Sequence, residues 1–186
     1  MKTIAFDIDS VLFPVNEAAI LPALSTHFGR TVSKEEIIDF DYQKCFGGGR
    51  KAEAAKDVAF AQFRRSDLYD GHQLNEKQRI CLHVLRAAGY RVLVVSSPFG
   101  EHASSKWSYC QRAGFYHKDI VLCGDKRLVD FDLLIDDRPE TVAHIGPERA
   151  IVFDQPWNRR MATKYTRVLG WDKMLPGILR HLSINN

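Results

Sequence analysis

Short apolar runs alternate along this chain with longer stretches whose apolar residues recur every three or four positions. The first run, Ile4-Ala5-Phe6, leads straight into Asp7-Ile8-Asp9, and residues 3–9 read as a strand. Continuous apolar runs of this length predict strands covered on both faces, as in a parallel sheet. Similar runs at 90–95, 119–122, 132–135 and 150–153 predict four more. Elsewhere the spacing is helical. Residues 16–28 set Ala19, Ile20, Ala23, Leu24 and Phe28 on one face, with Gly29 as the stop. Ser33-Lys34-Glu35-Glu36 is a capping box that opens a short helix towards Ile37, Ile38 and Phe40. Residues 51–65 carry Ala52, Ala55, Val58, Ala59, Gln62 and Phe63 along one side. Asn75-Glu76-Lys77-Gln78 caps a helix whose expected buried stripe is Ile80, Cys81, Val84, Leu85 and Ala88. Further helices are predicted at 104–113 and at 172–182, the last burying Met174, Leu175, Ile178, Leu179 and Leu182.

Strands alternating with helices predict an α/β, Rossmann-like three-layer fold with a mostly parallel central sheet. The purely helical stretch after the first strand reads as an insertion. The expected organisation is therefore a core of residues 1–13 and 73–186 and a small helical cap of residues 14–72. Gly47-Gly48-Gly49 has no strand before it and no G-K-[ST] after it, so it reads as a flexible connection rather than a phosphate loop.

Composition narrows the classes. A net charge of +3 is too mild to indicate a nucleic-acid partner and suits a small anionic substrate. Four cysteines without a C-x-x-C pair favour reduced thiols and a cytoplasmic setting over a disulfide framework or a zinc site. No long apolar segment precedes Asp7 and none reaches membrane-spanning length, so neither a signal peptide nor a membrane partner is expected. The seven histidines show no metal-ligand spacing and read as surface or structural residues.

In parallel α/β sheets ligands bind beyond the carboxyl ends of the strands. Each polar cluster of this chain falls at such an end: Asp7 and Asp9, Ser96 and Ser97, Lys126, then Asp136 and Asp137. Paired carboxylates repel unless a cation lies between them, which points to Mg²⁺ held by Asp7, Asp9, Asp136 and Asp137. A lysine, a hydroxyl and a metal are what a phosphoryl group needs around its oxygens. A carboxylate beside them can attack phosphorus, and a second can protonate the leaving oxygen. Ser96 and Ser97 lack the G-x-S-x-G elbow of serine hydrolases.

These motifs carry a resemblance. DIDSV at 7–11, VVSSP at 94–98, GDK at 124–126 and DLLIDDRP at 132–139 resemble the four motifs of the haloacid dehalogenase superfamily of phosphatases. Within it the SSP, the DK followed by DLLIDDRP, and the helical insertion are most similar to the 5′(3′)-deoxyribonucleotidases. The resemblance implies Asp7 as nucleophile and metal ligand. It implies Asp9 as general acid/base, lending its backbone carbonyl to the metal. Ser96 would bind phosphate with Ser97 beside it, Lys126 would stabilise charge, and Asp136 and Asp137 would bind Mg²⁺. The insertion would be a cap whose aromatic cluster, Phe40, Tyr42 and Phe46, stacks the nucleobase or forms the cap's own small core. Arg138 would reach the insertion or substrate, or pair within its own loop. Trp157-Asn158-Arg159 reads equally as a substrate-facing loop or as a packed Trp beside a solvated Arg. The expected activity is a Mg²⁺-dependent phosphomonoesterase acting on nucleoside 5′- or 3′-monophosphates through an aspartyl-phosphate. The alternatives are a phosphatase of another small phosphometabolite or of a nucleic-acid 3′-phosphate, and a non-catalytic nucleotide-binding regulator. The expected partner is a small nucleoside monophosphate, with no stable nucleic-acid partner, on a monomer or homodimer.

Overall fold

Among the described residues six short strands form one sheet in the order β3-β2-β1-β4-β5-β6, and every neighbouring pair is parallel. The computed structural model describes residues 1–184. The strands are β1 (Thr3–Phe6), β2 (Arg91–Ser96), β3 (Ile120–Leu122), β4 (Leu133–Asp136), β5 (Ala150–Phe153) and β6 (Thr166–Val168). The helices are α1 (Leu21–Phe28), α2 (Gly49–Phe63), α3 (Glu76–Ala87), α4 (Ala103–Arg112), α5 (Pro139–Ile145) and α6 (Trp171–Ile184). The alternation of side chains along each strand divides the core. Ile4, Phe6, Val92, Val94, Leu133 and Ile135 bury on one face; Ala5, Leu93, Val95 and Leu134 bury on the other. Helices cover both faces, so each strand is apolar on both sides, as its sequence requires.

Several elements differ from the sequence expectation. β1 stops at Phe6, so Asp7 and Asp9 stand beyond the strand and need not share a face. β6 is an additional strand, only three residues long, whose Thr-Arg-Val carries no apolar run. α6 approaches it closely: a Cβ on Gly177 would lie 2.5 Å from Val168 Cγ2, so only glycine fits there. The buried stripe of α3 is Gln78, Cys81, Leu82 and Leu85, while Ile80 is 55% exposed and Val84 and Ala88 also face outwards. Gln78 sets this rotation. Its Oε1 accepts from the Asn75 amide at 2.8 Å and its Nε2 donates to Leu12 O at 2.8 Å, which pins its side inwards. On α6, Leu179 lies outside the buried line of Met174, Ile178, His181 and Leu182.

Between β1 and α3 the chain forms α1, α2 and the turns that join them, with α1 packed against α2. A single wide turn at Asn16–Ile20 precedes α1. The three glycines at 47–49 all have positive φ and form a tight entry into α2 rather than a loose linker. No helix among the described residues is long and apolar enough to cross a membrane.

Candidate active site

β1 lies between β2 and β4, so the sheet grows through β2 and β3 on one side of it and through β4, β5 and β6 on the other. Such a switch point opens a crevice at the carboxyl ends of the strands. Asp7 follows β1, Ser96 ends β2, Lys126 begins a turn just after β3, and Asp136 ends β4. The Asp7 amide extends the ladder by donating to Ile135 O at 2.9 Å. All four residues therefore meet on one rim.

Lys126 is buried, with Nζ 2.9 Å from Asp7 Oδ1 and 2.6 Å from Asp136 Oδ2. Asp7, Asp136 and Asp137 each bring a carboxylate oxygen within 4.8 Å of the others, and all three residues are buried. Asp136 Oδ1 accepts from the Arg138 amide at 2.8 Å, and Asp137 Oδ2 from Trp157 Nε1 at 3.1 Å. Burial pushes the Asp136 carboxyl up to about 6, with Lys126 pulling against it and Asp7 adding to the rise. Burial, then the charges of Asp136 and Asp7, hold Asp137 well above its ordinary value. Burial would lower the Lys126 pKa, but Asp136 and Asp7 outweigh it and hold the ammonium above its usual range. Lys126 pairs with Asp7 and Asp136, while Asp137 is a third buried carboxyl beside them with no cationic contact of its own. That donor set of hard oxygens fits a divalent cation.

Asp9 turns away from this cluster. Its Oδ2 lies 2.7 Å from Lys106 Nζ, and its Oδ1 accepts from the Tyr69 hydroxyl at 2.6 Å. Lys106 is fully buried and also donates to Ser96 Oγ at 3.2 Å and Ser97 O at 2.9 Å. Its ammonium lies 5.3 Å from the Tyr69 ring centroid. Burial, then the nearby Asp9 charge, push the Tyr69 phenol upwards, so it stays a donor. Neither Lys106 nor Tyr69 is among the site residues expected from sequence. One signal was available: on α4, Lys106 shares a stripe with buried Tyr109 and Cys110, and a lysine on a buried stripe requires a partner. Tyr69 carries no comparable local mark. His102, expected to be a surface or structural residue, is fully buried. Its Nδ1 meets Phe63 O, and its Nε2 accepts from the Phe99 amide at 3.1 Å, joining the end of α2 to the loop after β2.

The rim opens into a cavity of about 440 Å³, a size that suits a small organic ligand. Asp7, Asp9, Ser96, Ser97, Lys126 and Asp137 form its polar end. Phe40, Tyr42, Phe60, Phe63 and Phe99 give it aromatic walls. Phe46 is not on those walls; it packs on Phe28 with centroids 4.9 Å apart. Arg138 does both things the sequence left open. Its guanidinium lies 4.8 Å from the Phe40 ring centroid, and its Nε is 3.3 Å from Glu140. Trp157 is packed and lines the cavity, with its ring 6.4 Å from Phe40. Arg159 bridges Asp154 and Glu35, tying the loop after β5 to the helical segment.

This is the fold of a haloacid dehalogenase-like hydrolase. All of the chain aligns with 97% of such a hydrolase from Xanthomonas campestris, with a TM-score of 0.57 and 13% identity. Residues 1–181 match the family model described as 5′ nucleotidase, deoxy (pyrimidine), cytosolic type C protein, and the chain belongs to that family. It is 24% identical over 177 residues to the 5′(3′)-deoxyribonucleotidases of Bacillus subtilis (strain 168) and of Bacillus phage SPbeta. Each alignment covers 93% of this chain and 96% of the relative. The protein is thus a nucleotidase, a phosphoric monoester hydrolase.

Proposed function

We propose that the protein is a Mg²⁺-dependent phosphomonoesterase that dephosphorylates deoxynucleoside 5′- or 3′-monophosphates, with Asp7 as nucleophile. The observation that carries this reading is the buried Lys126 spanning Asp7 and Asp136 at the polar end of an aromatic-walled cavity. Asp7 Oδ1 is occupied by Lys126 and by the Ile8 amide at 2.7 Å. Its other oxygen attacks phosphorus, the P–O bond to the nucleoside breaks, and the leaving oxygen takes a proton from Asp9. Asp9 then accepts a proton from the water that cleaves the aspartyl-phosphate and releases inorganic phosphate. Tyr69 and Lys106 hold the Asp9 carboxylate in place for both steps. Ser96 and Lys126 give donors and positive charge to the phosphate oxygens. Asp7, Asp136 and Asp137 would hold Mg²⁺, with the Asp9 backbone carbonyl, and the ion would supply Lewis-acid charge there. The helical segment 14–72 acts as a cap that excludes water and meets the nucleoside through Phe40 and Tyr42.

The test is a screen of the purified enzyme on nucleoside monophosphates against sugar phosphates, with Mg²⁺ and with EDTA. Metal-dependent release of phosphate, fastest from deoxynucleotides, is expected. Faster turnover of sugar phosphates, or full activity in EDTA, would overturn the reading.

A further inference from the structure

Asp137 is held differently from the two acids beside it. Asp7 and Asp136 each face the Lys126 ammonium, at 2.9 and 2.6 Å. The donor to the Asp137 carboxyl is uncharged: Trp157 Nε1, 3.1 Å from Oδ2. Asp137 still lines the cavity and brings one oxygen within 4.8 Å of an oxygen from each neighbour.

The loop that carries Trp157 is fixed from several directions. Asn158 Nδ2 donates to Asp137 O and to Phe153 O, each at 2.8 Å. Asn158 Oδ1 accepts from Arg167 Nη1 at 2.6 Å and from the Gln155 amide at 3.2 Å. Arg167 Nη1 also meets Asp154 Oδ1 at 2.7 Å. Two consecutive residues therefore grip Asp137, Asn158 by its backbone carbonyl and Trp157 by its carboxyl. Trp157 is itself buried, so its indole has little room to swing away.

The chemistry of the donor matters. An indole N–H donates one hydrogen bond, accepts none and carries no charge. It fixes the direction of a carboxyl and leaves the negative charge in place. An ammonium or guanidinium at the same point would compensate that charge and repel a divalent ion. Hydrogen bonds to a ligating carboxylate orient it and tune its affinity for metal. With Lys126 already set against Asp7 and Asp136, Asp137 is the acid of the cluster that keeps its charge for a cation.

We propose that Trp157 is a positioning residue of this site: its indole N–H orients the Asp137 carboxylate for the divalent cation. The role rests on the Mg²⁺ part of the reading above and is independent of which phosphate ester is cleaved.

The experiment titrates Mg²⁺ alone into the substrate-free protein by calorimetry, then measures phosphate release against Mg²⁺ concentration. Wild type is compared with Trp157→Phe, which keeps an aromatic ring in the cavity wall and drops the N–H. A second variant carries benzothienylalanine at position 157, which puts sulfur in place of the N–H within the same ring frame and leaves packing unchanged. Both are expected to raise the Mg²⁺ Kd about tenfold, the scale of one lost hydrogen bond to a ligating group. Saturating Mg²⁺ should then restore kcat to within about threefold of wild type, a recovery that a merely structural role would not show. A Kd within about twofold of wild type in the benzothienylalanine protein, or a loss of kcat that saturating Mg²⁺ leaves in place, would overturn the role of the indole N–H. Wild type that binds no Mg²⁺ and keeps full activity in EDTA would overturn the metal-dependent reading, and the positioning role with it.

Discussion

Lys106→Met removes the ammonium that links Asp9 to the serines at the end of β2. Methionine keeps an unbranched apolar stem of similar length, so packing changes little. What is lost is a set of charge-assisted contacts: 2.7 Å to Asp9, 3.2 Å to Ser96 Oγ and 2.9 Å to Ser97 O. Truncating one partner of a fully buried ion pair costs about 3–5 kcal/mol. Here the Asp9 side chain keeps 23% exposure and its bond from Tyr69, so water can partly replace the lysine. The expected destabilisation is nearer to about 2 kcal/mol, which for a chain of this length lowers Tm by about 4–8 °C. The effect on catalysis should be larger. A positioned general acid/base contributes about 10²–10⁴ in rate, and without Lys106 only one anchor holds Asp9. kcat should fall by about 10²-fold, with a smaller change in KM. The assays are thermal unfolding and steady-state phosphate release, repeated for Asp9→Asn and for the double variant. Because the two residues act as a unit, the double variant should lose little beyond Asp9→Asn alone. A Lys106→Met enzyme within about threefold of wild-type kcat would refute the argument that this buried lysine positions Asp9.

Metal binding should depend on pH in a direction fixed by the acidic cluster. Burial raises Asp136 to about 6, above the unfolded value of about 3.9, and Asp137 also lies above its ordinary value. Each group therefore favours the folded state most below pH ~4, and that contribution is lost as pH rises through the folded pKa. Mg²⁺ needs the deprotonated carboxylates, so the rise in Tm on adding it should be larger at pH 7.5 than at pH 5; equal rises at both would count against these acids as its ligands. Asp7→Asn should lower kcat by about 10³-fold or more while leaving a cooperative melt, and measurable burst or steady-state turnover near wild type would remove Asp7 from the nucleophile's role. Phe40→Ala takes away the ring beneath Arg138 and one wall of the cavity. It should raise KM for deoxynucleotides by about tenfold and for a simple alkyl phosphate much less; equal changes would mean that the ring does not meet the base.

The sequence by itself determined five of the six strands, the helices between them and the rim on which the polar residues gather. Ile4-Ala5-Phe6, Val92 to Val95 and Leu133 to Ile135 are apolar on both faces, and a strand buried on both faces belongs in the middle of a parallel sheet. The polar groups that end these runs are then held on one rim by the parallel sheet, which is why Asp7, Ser96, Lys126 and Asp136 could be assembled without coordinates. Elements fixed by weaker local signals were decided by packing. β6 is placed by its ladder with β5, by buried Val168 and by Arg167 reaching Asp154 and Asn158, and the face of α3 follows from two hydrogen bonds made by Gln78 rather than from its most apolar residues. The partners of Asp9 belong to the same class. Asp7 and Asp9 are two residues apart, yet one carboxylate faces Lys126 and the other faces Lys106 and Tyr69. Lys106 lies 97 positions from Asp9 and Tyr69 lies 60. No local periodicity encodes such a meeting, because it depends on where α4 and the segment after α2 come to rest over the sheet. The sequence determined which acids exist at the rim; the tertiary structure decided which of them gather beside Lys126 and which one is held apart by a second lysine and a tyrosine.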